Sequence, residues 1–409
     1  MLNILWLFFF VIAFFLALYQ WVFQADHQAF PELVKSIFDM AKLSVEISIG
    51  LIGILAFWLG LLKLAEQSGL VNLLARALKP LFRQLMPEVP DGHPALGSIS
   101  MNIAANMLGL DNAATPMGIR AMEQLQQLNP VKDTATNAQI LFLVLNTSAV
   151  TIIPVTILLY RAQMGSADPA AVFLPLLLAT SASTLVGLIA VSIVQRLHIF
   201  NRIIGAYFLA FASLIGAIVW LLLTLPAEQM TNVSSAFGNF FLMMSIIVIL
   251  VFAWKKQIPV YESFVEGAKE GFKVAITIIP YLVAMLTAIG ALRASGTLQA
   301  FANLVAKIVS AMGGNTAFVD AIPTALMRPF SGSGARAMML ETMQNHGVDS
   351  FAGKLVSIIQ GSTETTFYVL TVYFGAVGIK KIRHALACGL IADVAGIVSA
   401  ILIGYWFFY

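Results

Sequence analysis

Six consecutive small or polar residues, Gly361-Ser362-Thr363-Glu364-Thr365-Thr366, interrupt an otherwise apolar run from 352 to 375. A carboxylate at the centre of a stretch long enough to cross a bilayer costs at least about 2.5–3.5 kcal/mol to insert, so Glu364 is expected to turn away from lipid. Three roles fit its chemistry. It could carry a proton or cation, it could accept a hydrogen bond from a solute beside the Thr363 and Thr365 hydroxyls, or it could pair with an arginine only to fix helix packing. The arginine expected to face it is Arg328, in the segment Thr324-Ala325-Leu326-Met327-Arg328-Pro329-Phe330-Ser331-Gly332-Ser333-Gly334. Pro329 disfavours helical backbone at Arg328. A helix restarting near Ser333 would turn free N–H groups inward, with Ser331 and Ser333 beside them, which suits an anion; a plain helix break is the simpler reading of the same residues.

Earlier in the chain Asn102, Asn106, Asp111, Asn112 and the pair Thr115-Pro116 occupy the corresponding place. Asn102 and Asn106 lie four apart and share a face if helical, and Thr115 before Pro116 reads as the cap and first turn of a helix. Their amides suit a polar solute or, equally, hydrogen bonding between helices. Asn146-Thr147-Ser148 stands in the first half where Gly361-Ser362-Thr363 stands in the second. Asp393 is a second intramembrane acid, with His384 some two turns before it; Arg120 and Arg336 could contact an anion or snorkel to an interface. Glu46 and Lys273 are symmetry mates expected near opposite faces. His27 and His93 have no ligand spacing around them, no metal motif is seen, and no nucleotide-binding G-x-x-x-x-G-K-[ST] or hydrolase signature is present. The expectation is a protein without cofactor or metal that is not an enzyme.

The elements that would hold these residues are membrane helices. Of 409 residues 59% are hydrophobic and only 11% charged, against about a quarter charged in soluble domains. Net charge is +3, with no basic arm for nucleic acid, and the single Cys388 forms no internal disulfide. Nine spans are expected, near 2–23, 44–65, 138–161, 170–195, 203–224, 233–254, 271–292, 352–375 and 383–408. The first has no preceding Lys or Arg and no cleavage site after it, so it reads as a retained helix. Residues 69–128 and 296–346 are apolar but broken by Gly, Pro and polar residues, a pattern tolerated at membrane depth only under protein or around a wet cavity.

Self-similarity accounts for the broken regions. Ser36 to Gly69 aligns without gaps on Ser263 to Gly296, with 9 identities in 34 positions, and Gly118 to Met122 (GIRAM) aligns on Gly334 to Met338 (GARAM). Each copy holds four spans plus one broken, re-entrant segment, and the unmatched span 203–224 joins them. One joining helix between two even-numbered copies inverts the second, so the expected fold is an all-α polytopic membrane protein of two inverted-topology repeats, 1–200 and 201–409. Lys and Arg gather at 196–202, 255–273 and 380–383, which places the N-terminus in the cytoplasm and the C-terminus outside it.

Beyond these features the residues resemble a known family. AANMLGLDNAATPMGIRAME (Ala104 to Glu123) resembles spore maturation protein A. IPVYESFVEGAKEG (Ile258 to Gly271), IIPYLVAML (Ile278 to Leu286) and GSTETTFYVL (Gly361 to Leu370) resemble spore maturation protein B. The whole chain is thus similar to a fusion of the two, with the junction near 197–203, and both halves are similar to the nucleoside-recognition or gate domain, found also in concentrative nucleoside transporters and in ferrous-iron transporter B. The resemblance implies a membrane gate or transport module, associated in spore formers with core dehydration; the cysteines expected for an iron pathway are absent.

The function expected is therefore an inner-membrane transporter of a small polar or anionic organic solute, nucleoside-like compounds included, working by alternating access of the two repeats. The other readings are a non-transporting membrane scaffold or regulator of envelope or spore maturation, and a cation channel. Partners expected are the solute and the lipid bilayer; a homo-oligomer is compatible with a symmetric gate.

Overall fold

The computed structural model describes residues 2–109, 111–148, 150–197 and 201–409, with backbone alone at 2, 3, 5, 111–113, 227 and 228. The boundary placed at residue 200 and the side chains of Asp111 and Asn112 lie outside the described residues. The first half runs α1 (Leu2–Phe23), α2 (Ala29–Gln67), α3 (Leu70–Leu85), α4 (Pro94–Met107), α5 (Asp111–Leu128), α6 (Asn137–Thr147), α7 (Val155–Gln163) and α8 (Phe173–Gln195). After α9 (Arg202–Leu223) comes the second half. It runs α10 (Ala227–Lys255), α11 (Val260–Ala294), α12 (Thr297–Ala311), α13 (Ile322–Met327), α14 (Gly332–His346), α15 (Phe351–Ser362), α16 (Thr366–Ala376) and α17 (Ala385–Phe408). No strand occurs among the described residues, only one isolated bridge between Thr134 and Lys381. The chain is an all-helical polytopic membrane protein. Seven of its described helices are long and apolar enough to cross a bilayer.

Two expected spans are not continuous. The run 138–161 divides into α6 and α7, and 352–375 divides into α15 and α16. In the first, Pro154 has no N–H to continue a helix. In the second, Thr363 (φ −145°, ψ 174°) and Thr365 (φ −86°, ψ 99°) are extended, as befits hydroxyl residues whose side chains compete for backbone hydrogen bonds. Apolarity sets the membrane depth of these segments; the polar triplets inside them set where the helix stops. Two local expectations also fail. Helix α5 starts at Asp111 and carries Pro116 inside it, so Thr115 is not its cap. Arg328 keeps helical angles (φ −56°, ψ −47°) despite the following proline, as the residue that closes α13.

The long helices α2 and α11 form the axis of the molecule. At about 1.5 Å per residue, 39 residues span roughly 58 Å, longer than the hydrocarbon layer, so both project beyond it. They run antiparallel: Ser36 Oγ donates to the Gly290 carbonyl (2.9 Å) near one end, and Lys63 pairs with Glu266 (3.4 Å) near the other. The backbones touch because α11 offers Gly267 and Gly271 where α2 passes. A β-carbon on Gly271 would lie 2.5 Å from the Ala56 backbone, and one on Gly267 would lie 2.6 Å from the Leu59 carbonyl. Each long helix ends on a left-handed glycine, Gly69 (φ 75°) and Gly296 (φ 76°), which turns the chain into α3 and α12. A left-handed turn is open to glycine without steric cost. Helix α9 is almost wholly unburied, and Leu209, Leu214, Trp220 and Leu223 form an apolar surface that lipid suits.

Gly271→Ala should lower the thermal midpoint of the purified protein in detergent by an amount corresponding to about 1–3 kcal/mol of overpacking. Gly53→Ala, on the same pair of helices with open space where the methyl would go, should leave the midpoint within about 0.5 kcal/mol of wild type.

Candidate functional site

The two helix breaks meet. The Glu364 amide donates to the Thr147 carbonyl at the end of α6 (2.6 Å), and the Phe367 amide donates to the Pro329 carbonyl (3.0 Å). The Ser148 carbonyl accepts from the Thr184 hydroxyl (2.5 Å), and the Ile152 amide donates to the Met107 carbonyl (2.9 Å). Buried backbone polar groups must be paired, and here each break supplies part of what the other lacks.

Arg328 closes the arrangement. Its guanidinium is buried and donates to the Thr363 carbonyl, and Nη1 lies 3.4 Å from the Thr365 hydroxyl. Nη2 lies 3.4 Å from Glu364 Oε2, with side-chain exposures of 5% for Arg328 and 46% for Glu364. The pair is therefore lopsided: the cation is enclosed by the helix break, while the carboxylate is open on one side. That side is a polar cavity of about 80 Å³ lined by Arg328, Arg336, Gln360, Glu364, Thr151 and Thr156. Gly109, Val155, Thr156 and Arg336 are shared with a second cavity of about 620 Å³. The larger one lies against α2 and α11, with Trp58, Leu55 and Ile278 on its walls and Lys63, Glu66 and Glu270 among its charges. Arg336 sits with its guanidinium 5.3 Å from the centre of the Tyr160 ring, so it belongs to this site, whereas Arg120 is exposed.

The asparagines form a separate network around Tyr373. Asn102 Nδ2 donates to the Ala114 carbonyl (2.7 Å) and lies 3.3 Å from the Tyr373 hydroxyl. That hydroxyl faces Asn146 Oδ1 at 3.4 Å, and Asn106 Nδ2 donates to the same oxygen (3.0 Å). Asn146 Nδ2 bonds back to the Phe142 carbonyl (2.9 Å). These side chains tie α4, α6 and α16 together, and none of them lines the polar cavity beside Glu364. Ser331 accepts from the Gly334 amide (3.0 Å) as the cap of α14, with Ser333 Oγ 3.3 Å away. The Ser148 hydroxyl bonds back to the Val144 carbonyl (3.0 Å). Asp393, wholly buried on α17, accepts from the Thr366 hydroxyl at 2.6 Å. Glu46 and Lys273 each pair within their own helix, with Lys42 and Glu270. His384 faces Gln195 (3.0 Å).

Gln360 and Tyr373 reach the two networks with no role expected of either, whereas Arg336, one of the two arginines expected to contact an anion or to snorkel, lines both cavities. Gln360 had a signal: it is a buried amide one turn before Glu364 in an apolar run. A larger omission is Arg161, fully buried near the end of α7. It donates to the carbonyls of Pro169 (3.1 Å) and Val348 (3.0 Å), to Ser357 and Ser166, and to Asp349 Oδ1 (2.7 Å). Asp349 also accepts from Ser166 (2.6 Å) and the Ala167 amide (2.8 Å). This clasp joins the loop after α7 to the loop before α15. A second clasp between the halves is looser: Lys381 pairs with Asp133 (3.2 Å), and both side chains are exposed. Burial raises the Asp349 carboxyl, but the Ser166 hydroxyl, the Ala167 amide and Arg161 outweigh it and hold the group below its ordinary 3.8.

A family model described as Gate, nucleoside recognition, matches residues 48–164 and 275–380. The two matched stretches contain both helix breaks. Spore maturation protein B of Bacillus subtilis (strain 168) is 51% identical over 155 residues, which is 38% of this chain and 85% of that protein. Spore maturation protein A of the same organism is 40% identical over 202 residues, 49% of this chain and 97% of that protein.

Because Asp349 is held ionised in the folded state, its contribution to stability is present above the ordinary carboxylate range and is lost as pH falls below about 4. Asp349→Asn should lower the thermal midpoint at neutral pH, by a loss of up to about 3–5 kcal/mol if Arg161 is left without its charge partner. It should also flatten the acid limb of a midpoint-against-pH curve. A mutant with an unchanged midpoint and acid limb would show that the clasp contributes nothing.

Proposed function

Since the chain belongs to the Gate family, as a fusion of segments similar to spore maturation proteins A and B, we propose that this multi-pass membrane protein is a transporter of a small polar or anionic organic solute. The observation that carries the reading is the lopsided Arg328–Glu364 pair, enclosed on one side by two crossing helix breaks and open on the other to a cavity. In the transport reading the Glu364 carboxylate and the Gln360 amide meet the donors of the solute, and Arg328 and Arg336 meet its acceptors or negative charge. The neighbouring cavity of about 620 Å³ falls in the range that small-molecule sites occupy. Its apolar walls and the Tyr160 and Trp58 rings suit a flat, partly apolar ring, so a nucleoside-like solute fits the chemistry and the family description alike.

In this reading the two halves are inverted repeats that rock about the antiparallel α2–α11 axis, the short helices α3–α5 and α12–α14 act as re-entrant gates, and the exposed Asp133–Lys381 clasp opens more readily than the Asp349–Arg161 one, whose arginine is buried. Inverted repeats with broken helices at their interface place a solute near the midplane, where alternating access requires it. The distribution of Lys and Arg supports an inner-membrane location with the N-terminus in the cytoplasm.

Glu364→Gln keeps the size and shape of the side chain and removes its charge. In proteoliposomes loaded or bathed with labelled nucleosides and small organic anions, it should reduce flux by about 10-fold or more, on the scale of a lost charged hydrogen bond, while the purified variant keeps its thermal midpoint and monodispersity. Undiminished flux in the folded variant would remove Glu364 from the solute path.

A further inference from the structure

An apolar groove of about 420 Å³ between α2, α3 and α10 adjoins the polar cavity. No charged residue is among its described lining, and its one hydroxyl, on Ser245, already donates to the Leu242 carbonyl (2.7 Å). Leu73, Phe241 and Met244 on its walls are exposed, and α10 is apolar enough to cross a bilayer, so the groove opens sideways onto lipid. Its floor is thin. Leu108, Ile152 and Ile153 line the groove, while Gly109 and Ile153 line the polar cavity beside Glu364. The two segments touch: the Ile152 amide donates to the Met107 carbonyl (2.9 Å), and a β-carbon on Gly109 (φ 72°) would lie 2.8 Å from the Ile153 carbonyl. Trp58 and Leu62, one turn apart on α2, line both the groove and the cavity of about 620 Å³.

We propose that the solute is an anionic amphiphile, with its head at Arg328, Arg336, Gln360 and Glu364 and its aliphatic chain in the groove, so that it enters and leaves sideways through the bilayer. The placing of the head rests on the transport reading; the groove does not. A water-soluble solute gains nothing from a passage walled by leucine, isoleucine, phenylalanine and methionine, whereas an aliphatic chain passes from lipid into it at no cost in solvation. Lipid tails are as apolar as leucine, so a tail alone has no hydrophobic reason to prefer this groove to the rest of the bilayer. The head must therefore select the occupant. Two arginines against one glutamate leave the polar cavity one positive charge in excess, which fits a singly charged anion. A phosphate or carboxylate suits the forked donors of a guanidinium, and hydroxyl or amide donors on the same head suit Glu364 and Gln360.

The test reads occupancy. The full chain in phosphatidylcholine nanodiscs receives hexadecyl phosphate with a photoreactive diazirine near the end of its tail, and labelled residues are mapped by mass spectrometry of peptides. Label is expected on Leu73, Phe241 or Met244. Excess unlabelled hexadecyl phosphate should displace it, and neither hexadecanol, which has the chain without the charge, nor inorganic phosphate, which has the charge without the chain, should do so. Arg336→Gln should lower groove label about tenfold, on the scale of a lost charged hydrogen bond. Met244→Trp, which fills the groove, should lower it likewise and carries the test if Arg336→Gln does not fold; Leu209→Trp, on the exposed face of α9, should leave it unchanged. Label spread evenly over the exposed apolar faces, displaced equally by hexadecanol, or indifferent to both Arg336→Gln and Met244→Trp is bulk lipid and overturns the proposal. Flux separates the two readings. Displaceable groove label without flux of any solute supports the amphiphile site and removes transport, whereas nucleoside flux that Glu364→Gln reduces, without groove label, keeps transport and overturns the amphiphile.

Discussion

Inside an apolar layer a helix that stops must find partners for the amides and carbonyls it frees, and this requirement governs the centre of the molecule. The chain stops two helices at the same depth and lets each answer the other. The Glu364 amide caps the end of α6 at the Thr147 carbonyl, and the Arg328 guanidinium takes the Thr363 carbonyl that α15 leaves open. Neither break could stand alone at that depth. The close packing of α8 and α17 follows from the same need: Gly187, Gly389 and Gly396 are the positions where any side chain would strike the neighbouring helix or the threonines of the breaks.

Charge is placed by the same logic. Arg328 is held because backbone and hydroxyl oxygens surround it, which frees Glu364 from full neutralisation and leaves its carboxylate partly open to the cavity. At the ends of the broken helices, Arg161 with Asp349 and Lys381 with Asp133 tie loops of one half to loops of the other. In the first clasp Arg161 is buried and makes many hydrogen bonds, while Asp349 is partly exposed. The second is solvated, and exposed ion pairs contribute little. The two ends thus differ in how firmly their loops are tied.

Much of the site was legible in the primary structure because membrane-embedded polarity is scarce. Glu364, Arg328, Asn106, Asn146 and Asp393 stood out as polar residues in apolar runs, and all of them take part in the two networks or the buried contact of Asp393 with Thr366. Arg161 was not legible: it lies at the end of a predicted span, where a basic residue ordinarily reaches to the interface, and only the loop at 347–350 folding over it makes it interior. Tyr373 was hidden likewise, since an aromatic residue in a membrane helix is unremarkable until two asparagines converge on its hydroxyl. Thr115 was misplaced because a proline inside α5 looks like a helix start when only its neighbours are seen.

Apolar content, span length and the recurrence of Ser36 to Gly69 in Ser263 to Gly296 determined a polytopic helical membrane protein in two related halves, because these depend on local composition and period alone. Which polar residues face one another was decided by the tertiary structure. A stop in one helix becomes tolerable only when a second stop, some 215 residues away in the chain, is brought against it. The composition that fixed how little charge the chain could carry left open how that charge is shared between an open cavity and a closed carboxylate.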